Sequence, residues 1–202
     1  MYICKIEKDG KQYRIYGENG YEFSLYYSEV KRYHIEEQCE LDEDVLQDIY
    51  QTVLYKRVRE RALYLLERRP YSILDMKNKL KKNQYPEQVI ARVIDFLVKY
   101  HYLDDVNYAE LYVSSYSNRK SQRQMRYELA QKGIDKDVIV TCLSQKEDSE
   151  QECFQIRFER YIQGKDMCDF KVRQKVYRYF YSKGFPGYMI EQALDAIRYD
   201  VE

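Results

Sequence analysis

A set of apolar positions recurs along this chain at intervals of about 50 residues. Ser121 lies 49 positions after Ser72, Gly184 lies 51 positions after Gly133, and matching apolar residues occur in each copy. They are Met76, Leu80, Val89, Ile90, Val93 and Ile94 in the first copy, Met125, Leu129, Val138, Ile139, Cys142 and Leu143 in the second, and Val176, Phe180, Met189, Ile190, Ala193 and Leu194 in the third. A period of this length is typical of stacked supersecondary units that bury their apolar faces against one another.

Each copy is predicted to hold three helices, because its apolar residues recur three and four positions apart. Ser72 with Asp75, and Ser121 with Gln124, fit the capping box that begins many helices. The turns before the last helix of each copy align at Gln84, Gly133 and Gly184. The predicted helices span 43–68, 72–83, 86–100, 105–118, 121–132, 135–145, 148–163, 169–183 and 186–199. We therefore expect a mainly α-helical protein, an elongated, curved array of three tandem three-helix repeats at 41–100, 101–146 and 147–202.

The first 40 residues are predicted to form a small β-meander and an acidic linker. Apolar and polar residues alternate over 2–8, 12–16 and 21–26, and Asp-Gly and Asn-Gly pairs separate these segments. Such pairs supply the positive φ that hairpin turns need. The acidic run at 36–44 is interpreted as a linker that enters an acid-rich helix start, with Asp42 as the cap. A docking tail for a basic partner is the alternative.

The formal net charge of zero hides an uneven distribution. Residues 1–50 carry −6, residues 51–146 carry +8, and residues 147–202 carry −2. Clustered Lys and Arg are what phosphate binding needs, because affinity comes from counterion release. The middle block is therefore a candidate surface for an anionic partner, whether DNA phosphate or an acidic protein groove; a solvated helix face is the alternative. The candidate binding residues are Arg57, Arg61, Arg68, Arg69, Lys77, Lys79, Arg119, Lys120, Arg123 and Arg126.

Two further features of the basic block admit two uses each. Tyr112, Tyr116 and Tyr127 lie among the basic residues and can stack on bases, but amphipathic packing is the favoured interpretation. The helix starts at Ser72 and Ser121 can hold phosphates, although serines at these positions are more often only caps.

Composition argues against several classes of protein. Hydrophobic residues make up 45% of the chain, which excludes general disorder, and the longest apolar stretches are far too short for a membrane span. The N-terminus lacks the apolar segment of a signal peptide, so we expect a cytoplasmic protein. Five scattered cysteines and two histidines offer no metal-site spacing. Asp104 and Asp105 are interpreted as a helix start rather than a catalytic pair, so we expect no enzyme, metal or cofactor.

Four motifs in this order resemble the signatures of the RecX family. They lie at 69–80, 101–109, 128–134 and 178–185, and the similarity covers about 57–195. The residues that carry it are Arg69-Pro70-Tyr71-Ser72-x-x-Asp75-Met76-x-x-Lys79-Leu80, His101-Tyr102-Leu103-Asp104-Asp105-x-x-Tyr108-Ala109, Glu128-Leu129-x-x-Lys132-Gly133-Ile134 and Arg178-x-Phe180-x-x-Lys183-Gly184-Phe185. The chain departs from the family at Tyr71, where the family has His. It departs again at 119–123, where the family often has K-G-x-G-P and this chain adds positive charge.

The resemblance implies a non-catalytic regulator of the RecA recombinase. Such proteins are thought to dock along the groove of the RecA–single-stranded-DNA filament and to modulate its recombinase, ATPase and coprotease activities, with inhibition expected here. The implied partners are RecA and the single-stranded DNA within the filament, in recombination, DNA repair and the SOS response. We expect a monomer without a membrane partner. A free-standing nucleic-acid-binding helical module is the alternative, because three-helix units resemble helix-turn-helix folds.

Overall fold

The computed structural model describes residues 1–145 and 147–199. The chain divides into two compact units, Met1–Asp104 and Asp105–Glu202. The mainly helical fold and the N-terminal sheet predicted from the sequence are confirmed. In the described part of the chain, no helix combines the length and the apolar character needed to cross a membrane.

The first unit begins with an antiparallel sheet of strand order β3-β2-β1-β4. The strands β1 (Tyr2–Asp9), β2 (Gln12–Gly17) and β3 (Gly20–Tyr26) are those predicted, and Gly10 and Gly20 supply the positive φ of the two turns (61° and 106°). The segment predicted as a linker also contains two unpredicted elements, α1 (Tyr27–Arg32) and the short β4 (Cys39–Glu40). β4 pairs with the start of β1 and closes that edge of the sheet.

The helices of the first unit pack on this sheet through one continuous core. An extended helical segment runs from α2 (Glu43–Asp48), through a π-helical stretch at Ile49–Leu54, into α3 (Tyr55–Leu66); α4 (Ile73–Lys82) and α5 (Glu87–Lys99) follow. Asp42 caps α2 as predicted, since its carboxylate accepts from the Asp44 N–H at 3.2 Å. Phe23 and Leu25 of β3 belong to the same buried cluster as Ile49 and Leu54. A small sheet needs a buried apolar face to be stable, and this shared core provides one.

The second unit contains two sets of three helices, each with a core of its own. The first set is α6 (Asp105–Tyr116), α7 (Gln122–Gln131) and α8 (Lys136–Ser144), and the second is α9 (Glu147–Ile162), α10 (Phe170–Ser182) and α11 (Gly187–Tyr199). Met125 and Leu129 are central to the first core. Four phenylalanines, Phe154, Phe158, Phe180 and Phe185, fill the second.

The aligned turn slot adopts a left-handed backbone in all three copies. The φ angle is 61° at Gln84, 77° at Gly133 and 89° at Gly184. Glycine tolerates this region freely, whereas a residue with a Cβ pays roughly 1 kcal/mol. The other two copies have glycine at this turn position, so only the first copy, with Gln84, carries backbone strain there.

We expect Gln84→Gly to stabilise the protein by roughly 0.5–1 kcal/mol, because the strain at φ 61° disappears. Urea unfolding followed by circular dichroism measures this change. The matched control is Asn83→Gly, one residue earlier, where φ is −85°. There a glycine only adds entropy to the unfolded chain, so stability falls or stays the same. Equal stabilisation by both substitutions contradicts the explanation.

Candidate functional site

The predicted basic residues fall on both units, and each group is described within its own unit. Arg57, Arg61, Arg68, Arg69, Lys77 and Lys79 lie in the first unit, on α3, the following turn and α4. Arg119, Lys120, Arg123 and Arg126 lie in the second unit, on the α6–α7 turn and α7. Some of these basic residues bond to other groups of their own unit, and others face solvent.

Arg57 is a connecting residue rather than a member of an open basic surface. Its Nη1 donates to the Ser24 carbonyl oxygen at 2.8 Å, and its Nη2 donates to both carboxylate oxygens of Glu29 at 2.7 and 2.5 Å. The guanidinium also lies 4.6 Å from the centre of the Tyr26 ring. These contacts join α3 to β3 and α1, and they use the planar fork that only arginine offers.

The other basic residues of the first unit lie nearer the surface. Arg68 is exposed, with its guanidinium 4.5 Å from the Tyr64 ring, and Arg69 lies 4.3 Å from the Tyr71 ring. Arg61 approaches Tyr64 more loosely, at 5.5 Å. In the described residues Arg61, Arg68, Lys77 and Lys79 have no carboxylate partner, unlike the adjacent Lys81, which pairs with Glu87 at 2.8 Å.

Lys120 of the second unit is also turned inward. Its ammonium donates to the Tyr112 hydroxyl at 2.9 Å, contacts the Glu128 carboxylate, and lies 4.1 Å from the centre of the Tyr116 ring. The Tyr112 hydroxyl donates to the same carboxylate. Burial lowers the pKa of Lys120 and raises the pKa of Glu128. Tyr112 and Tyr116 therefore pack against the core of their unit, as expected for amphipathic tyrosines.

The backbone N–H groups of Gln122 and Gln124 at the start of α7 donate within the unit, so these N–H groups are not open to phosphate. The Ser121 hydroxyl accepts from the Gln124 N–H at 3.2 Å and donates to the Lys183 carbonyl oxygen at 2.8 Å. The Gln122 N–H donates to the Glu150 carboxylate at 2.7 Å. Burial raises the pKa of Glu150 above its ordinary value, and the hydrogen bond from the Gln122 N–H only partly opposes this rise. Ser72 caps α4 in the predicted way, by accepting from the Asp75 N–H at 3.1 Å.

Three arginines at the start of the second unit's α7 remain directed at solvent. Arg119, Arg123 and Arg126 are exposed, and none has a carboxylate partner within the described ranges. Only the main chain of Arg119 is engaged, because its carbonyl oxygen accepts from Arg157 Nη1 at 2.6 Å. Among the ten predicted binding residues, these three are the exposed cations that lie together at the start of a single helix.

A groove beside these arginines brings in residues that the sequence analysis did not select. It has a volume of about 480 Å³ and lies between α7, which contributes Arg123, and the α10–α11 turn, which contributes Lys183. Tyr127 and Tyr181 also line it and are 65% and 51% exposed. Tyr127 thus differs from the two packed tyrosines.

Gly184 allows the turn to approach α7 closely. A Cβ placed on Gly184 would lie 2.7 Å from the Ser121 hydroxyl oxygen and 3.2 Å from the Arg123 Cβ, and φ is +89°. Both the space and the backbone conformation therefore require glycine. The repetition of glycine at 133 and 184 was the sequence signal for a special turn here, but the partner of the turn was not visible.

The carboxylates were the remaining candidates for chemistry in the described part of the chain. Asp105 begins α6, as predicted for a helix start. Over residues 1–145 and 147–199, no group of three His, Cys, Asp or Glu side chains is arranged to hold a metal ion.

Comparison with known proteins identifies relatives along nearly the whole chain. Family models described as the first and second three-helix domains of RecX match residues 59–97 and 104–143. The protein named Regulatory protein RecX in Bacillus velezensis is 32% identical, over 98% of this chain and 78% of its own length. The protein of the same name in Clostridium beijerinckii is 26% identical, over 98% of this chain and 95% of its own length.

Solved structures agree with this assignment. A crystal structure of regulatory protein RecX superimposes with a TM-score of 0.64 at 27% identity, and covers 96% of this chain and 98% of that one. RecX from Lactobacillus salivarius shares the fold, with a TM-score of 0.63 at 23% identity over 71% of this chain and 97% of that one. Together with the four sequence motifs and the three-helix units, these matches show that the chain belongs to the RecX family of regulatory proteins.

Proposed function

We propose that this protein binds the RecA–single-stranded-DNA filament and inhibits its recombinase, ATPase and coprotease activities without catalysing a reaction itself. The observation that carries the proposal is the group of solvent-directed arginines on α7, Arg119, Arg123 and Arg126, which lies in the region that matches the second RecX domain. The filament is polyanionic, so it offers the phosphates or acidic side chains that such a group attracts.

The mechanism follows from where such a protein acts. Contact with neighbouring RecA subunits would alter how those subunits close on one another, and with it ATP turnover and strand exchange. A protein that contacts neighbouring subunits or the enclosed strand favours the filament state to which it binds best. Inhibition then requires only differential affinity for one filament state, and no catalytic residue in the regulator.

The acidic N-terminal part supports selectivity in this proposal. Residues 1–50 carry a net charge of −6, whereas residues 51–146 carry +8. Attraction to phosphate is therefore local, and the acidic part disfavours indiscriminate binding to nucleic acid.

The direct test is RecA ATPase activity on single-stranded DNA with increasing amounts of this protein. We expect the rate to fall severalfold as the protein saturates the filament, and more weakly as salt rises. An unchanged rate at saturating protein contradicts the proposal. Tight, steeply salt-dependent binding to DNA in the absence of RecA, combined with no effect on the ATPase, identifies the free-standing DNA-binding module instead.

A further inference from the structure

We propose that the groove between α7 and the α10–α11 turn binds one to two nucleotides of single-stranded nucleic acid, with a base stacked on Tyr181 or Tyr127 and phosphate held by Arg123 and Lys183. The inference rests on the proposed function and deepens it, because it assigns this groove to the DNA strand of the filament rather than to RecA.

The electrostatics of the groove fit an anionic chain. None of the described side chains that line it is acidic, and its two charged residues, Arg123 and Lys183, are both basic and exposed. Neither forms an ion pair with another described residue. Glu128 of α7 is engaged with Lys120, and Glu150 of α9 accepts from the Gln122 N–H. Phosphate groups can therefore approach without displacing an internal carboxylate.

The aromatic residues distinguish a nucleic acid from an acidic peptide. The Tyr181 ring stacks on Tyr177 with a centroid distance of 5.9 Å and an angle of 12°, and it is still 51% exposed. One face is thus held by a neighbour while the rest of the ring is accessible. The Tyr127 hydroxyl accepts from the Gln131 side-chain amide at 3.1 Å, which orients that ring while it stays 65% exposed. Oriented aromatic rings in a basic groove are the arrangement used to stack bases of single strands.

The groove is built by the fold rather than by chance surface contacts. The Ser121 hydroxyl bonds to the Lys183 carbonyl oxygen at 2.8 Å, and Gly184 permits this approach. The two walls are therefore joined next to the charged side chains. The groove is open to solvent and has a volume of about 480 Å³.

The test is fluorescence anisotropy with labelled oligo(dT) and with an abasic oligonucleotide of equal length, using the full-length protein. Base stacking contributes about 1–3 kcal/mol per base, so we expect the double variant Tyr127→Leu/Tyr181→Leu to lose roughly 5–150-fold in affinity for oligo(dT) and little for the abasic strand. Lys183→Gln should weaken both strands and reduce the salt slope by about 0.7. The control variant is Tyr188→Leu, a 64% exposed tyrosine outside the groove, which should bind like the wild type.

Two outcomes overturn the inference. If the double tyrosine variant binds oligo(dT) as tightly as the wild type, Tyr127 and Tyr181 do not stack on bases. Failure of the wild type to bind oligo(dT), together with displacement of the protein from RecA filaments by poly-glutamate, assigns the groove to an acidic protein surface. The ATPase assay separates these results from the proposed function. If the wild type leaves RecA unaffected but the oligonucleotide results hold, the groove assignment stands and the RecA proposal fails.

Discussion

Replacing Arg57 with methionine is expected to destabilise the first unit by about 2–3 kcal/mol. The substitution removes three hydrogen bonds and the ionic partner of the mostly buried Glu29 carboxylate, which keeps only the hydrogen bond from the Tyr26 N–H at 2.7 Å among those that the described residues show. The side chains of Arg57 and Glu29 are only 16% and 22% exposed, so solvent screens the pair weakly. Urea unfolding followed by circular dichroism measures the loss.

Arg61→Met is the matched control for this prediction. Arg61 lies one turn later on α3 and is also half-buried, but it has no carboxylate partner within the described residues. Its replacement should change the free energy of unfolding by less than about 0.5 kcal/mol. A double-mutant cycle of Arg57→Met with Glu29→Gln should return a coupling of at least about 1 kcal/mol. Equal losses for Arg57→Met and Arg61→Met, or a coupling near zero, contradict the assigned role.

Arg57→Lys tests the geometry of the same contact. Lysine keeps the charge but cannot donate in parallel to Ser24 and to both oxygens of Glu29, so about half of the stability loss should remain. At a temperature where this variant is folded, its effect on RecA ATPase should match the wild type, because Arg57 acts inside the unit. If a fully folded Arg57→Lys protein has an altered effect on RecA ATPase, Arg57 belongs to the binding surface after all.

The helices could be predicted from the sequence because their signals are local. Ser72 and Ser121 accept the N–H groups that a capping serine should accept, and α4 and α7 begin directly after them. The apolar spacing around Met125 and Leu129 predicted which face is buried, since both side chains lie in the core. Information of this kind resides within a few residues of the element that it specifies.

The elements that were not predicted depend on contacts between distant residues. β4 has two residues, too few for an alternating pattern, and it exists because Cys39 pairs with Ile3 across the sheet. Arg57 and Glu29 are 28 positions apart, so neither the charge count nor the helical spacing could show that they meet. The net charge of +8 in the middle block is correct for its composition. It overstates the number of cations on the surface, because Arg57 pairs with Glu29 inside the first unit.

The candidate site shows the same division. Arg119, Arg123 and Arg126 are exposed on the turn and helix where the sequence placed them. Lys120 stands between them in the sequence but bonds to Tyr112 and Glu128 within the second unit. Lys183 and Tyr181 come to the groove from a different repeat, because Gly184 lets that turn pack on α7. Only tertiary packing could reveal that neighbourhood.

Reversing two charges at the exposed arginine group is expected to abolish most filament binding. The double variant Arg119→Glu/Arg123→Glu places two acidic groups where the wild type presents two cations without carboxylate partners in the described chain. Like charges brought together across an interface cost several kcal/mol, and each 1.4 kcal/mol is a tenfold change in Kd. We expect a loss on the order of 100-fold in filament affinity, measured by co-sedimentation with RecA filaments or by the midpoint of the ATPase titration.

The helix itself should tolerate this change, which makes the result interpretable. Arg123 is the second residue of α7, where a carboxylate interacts favourably with the helix dipole, and the side chain of Arg119 lies before the helix begins. The matched control is Lys136→Glu/Lys171→Glu, which alters net charge equally at two exposed lysines on α8 and α10. If this control weakens filament binding as much as the arginine pair, long-range charge alone accounts for attraction. If neither variant weakens it, the arginine group is a solvated helix face. A loss confined to the arginine pair, reduced at high salt, places the contact at the start of α7.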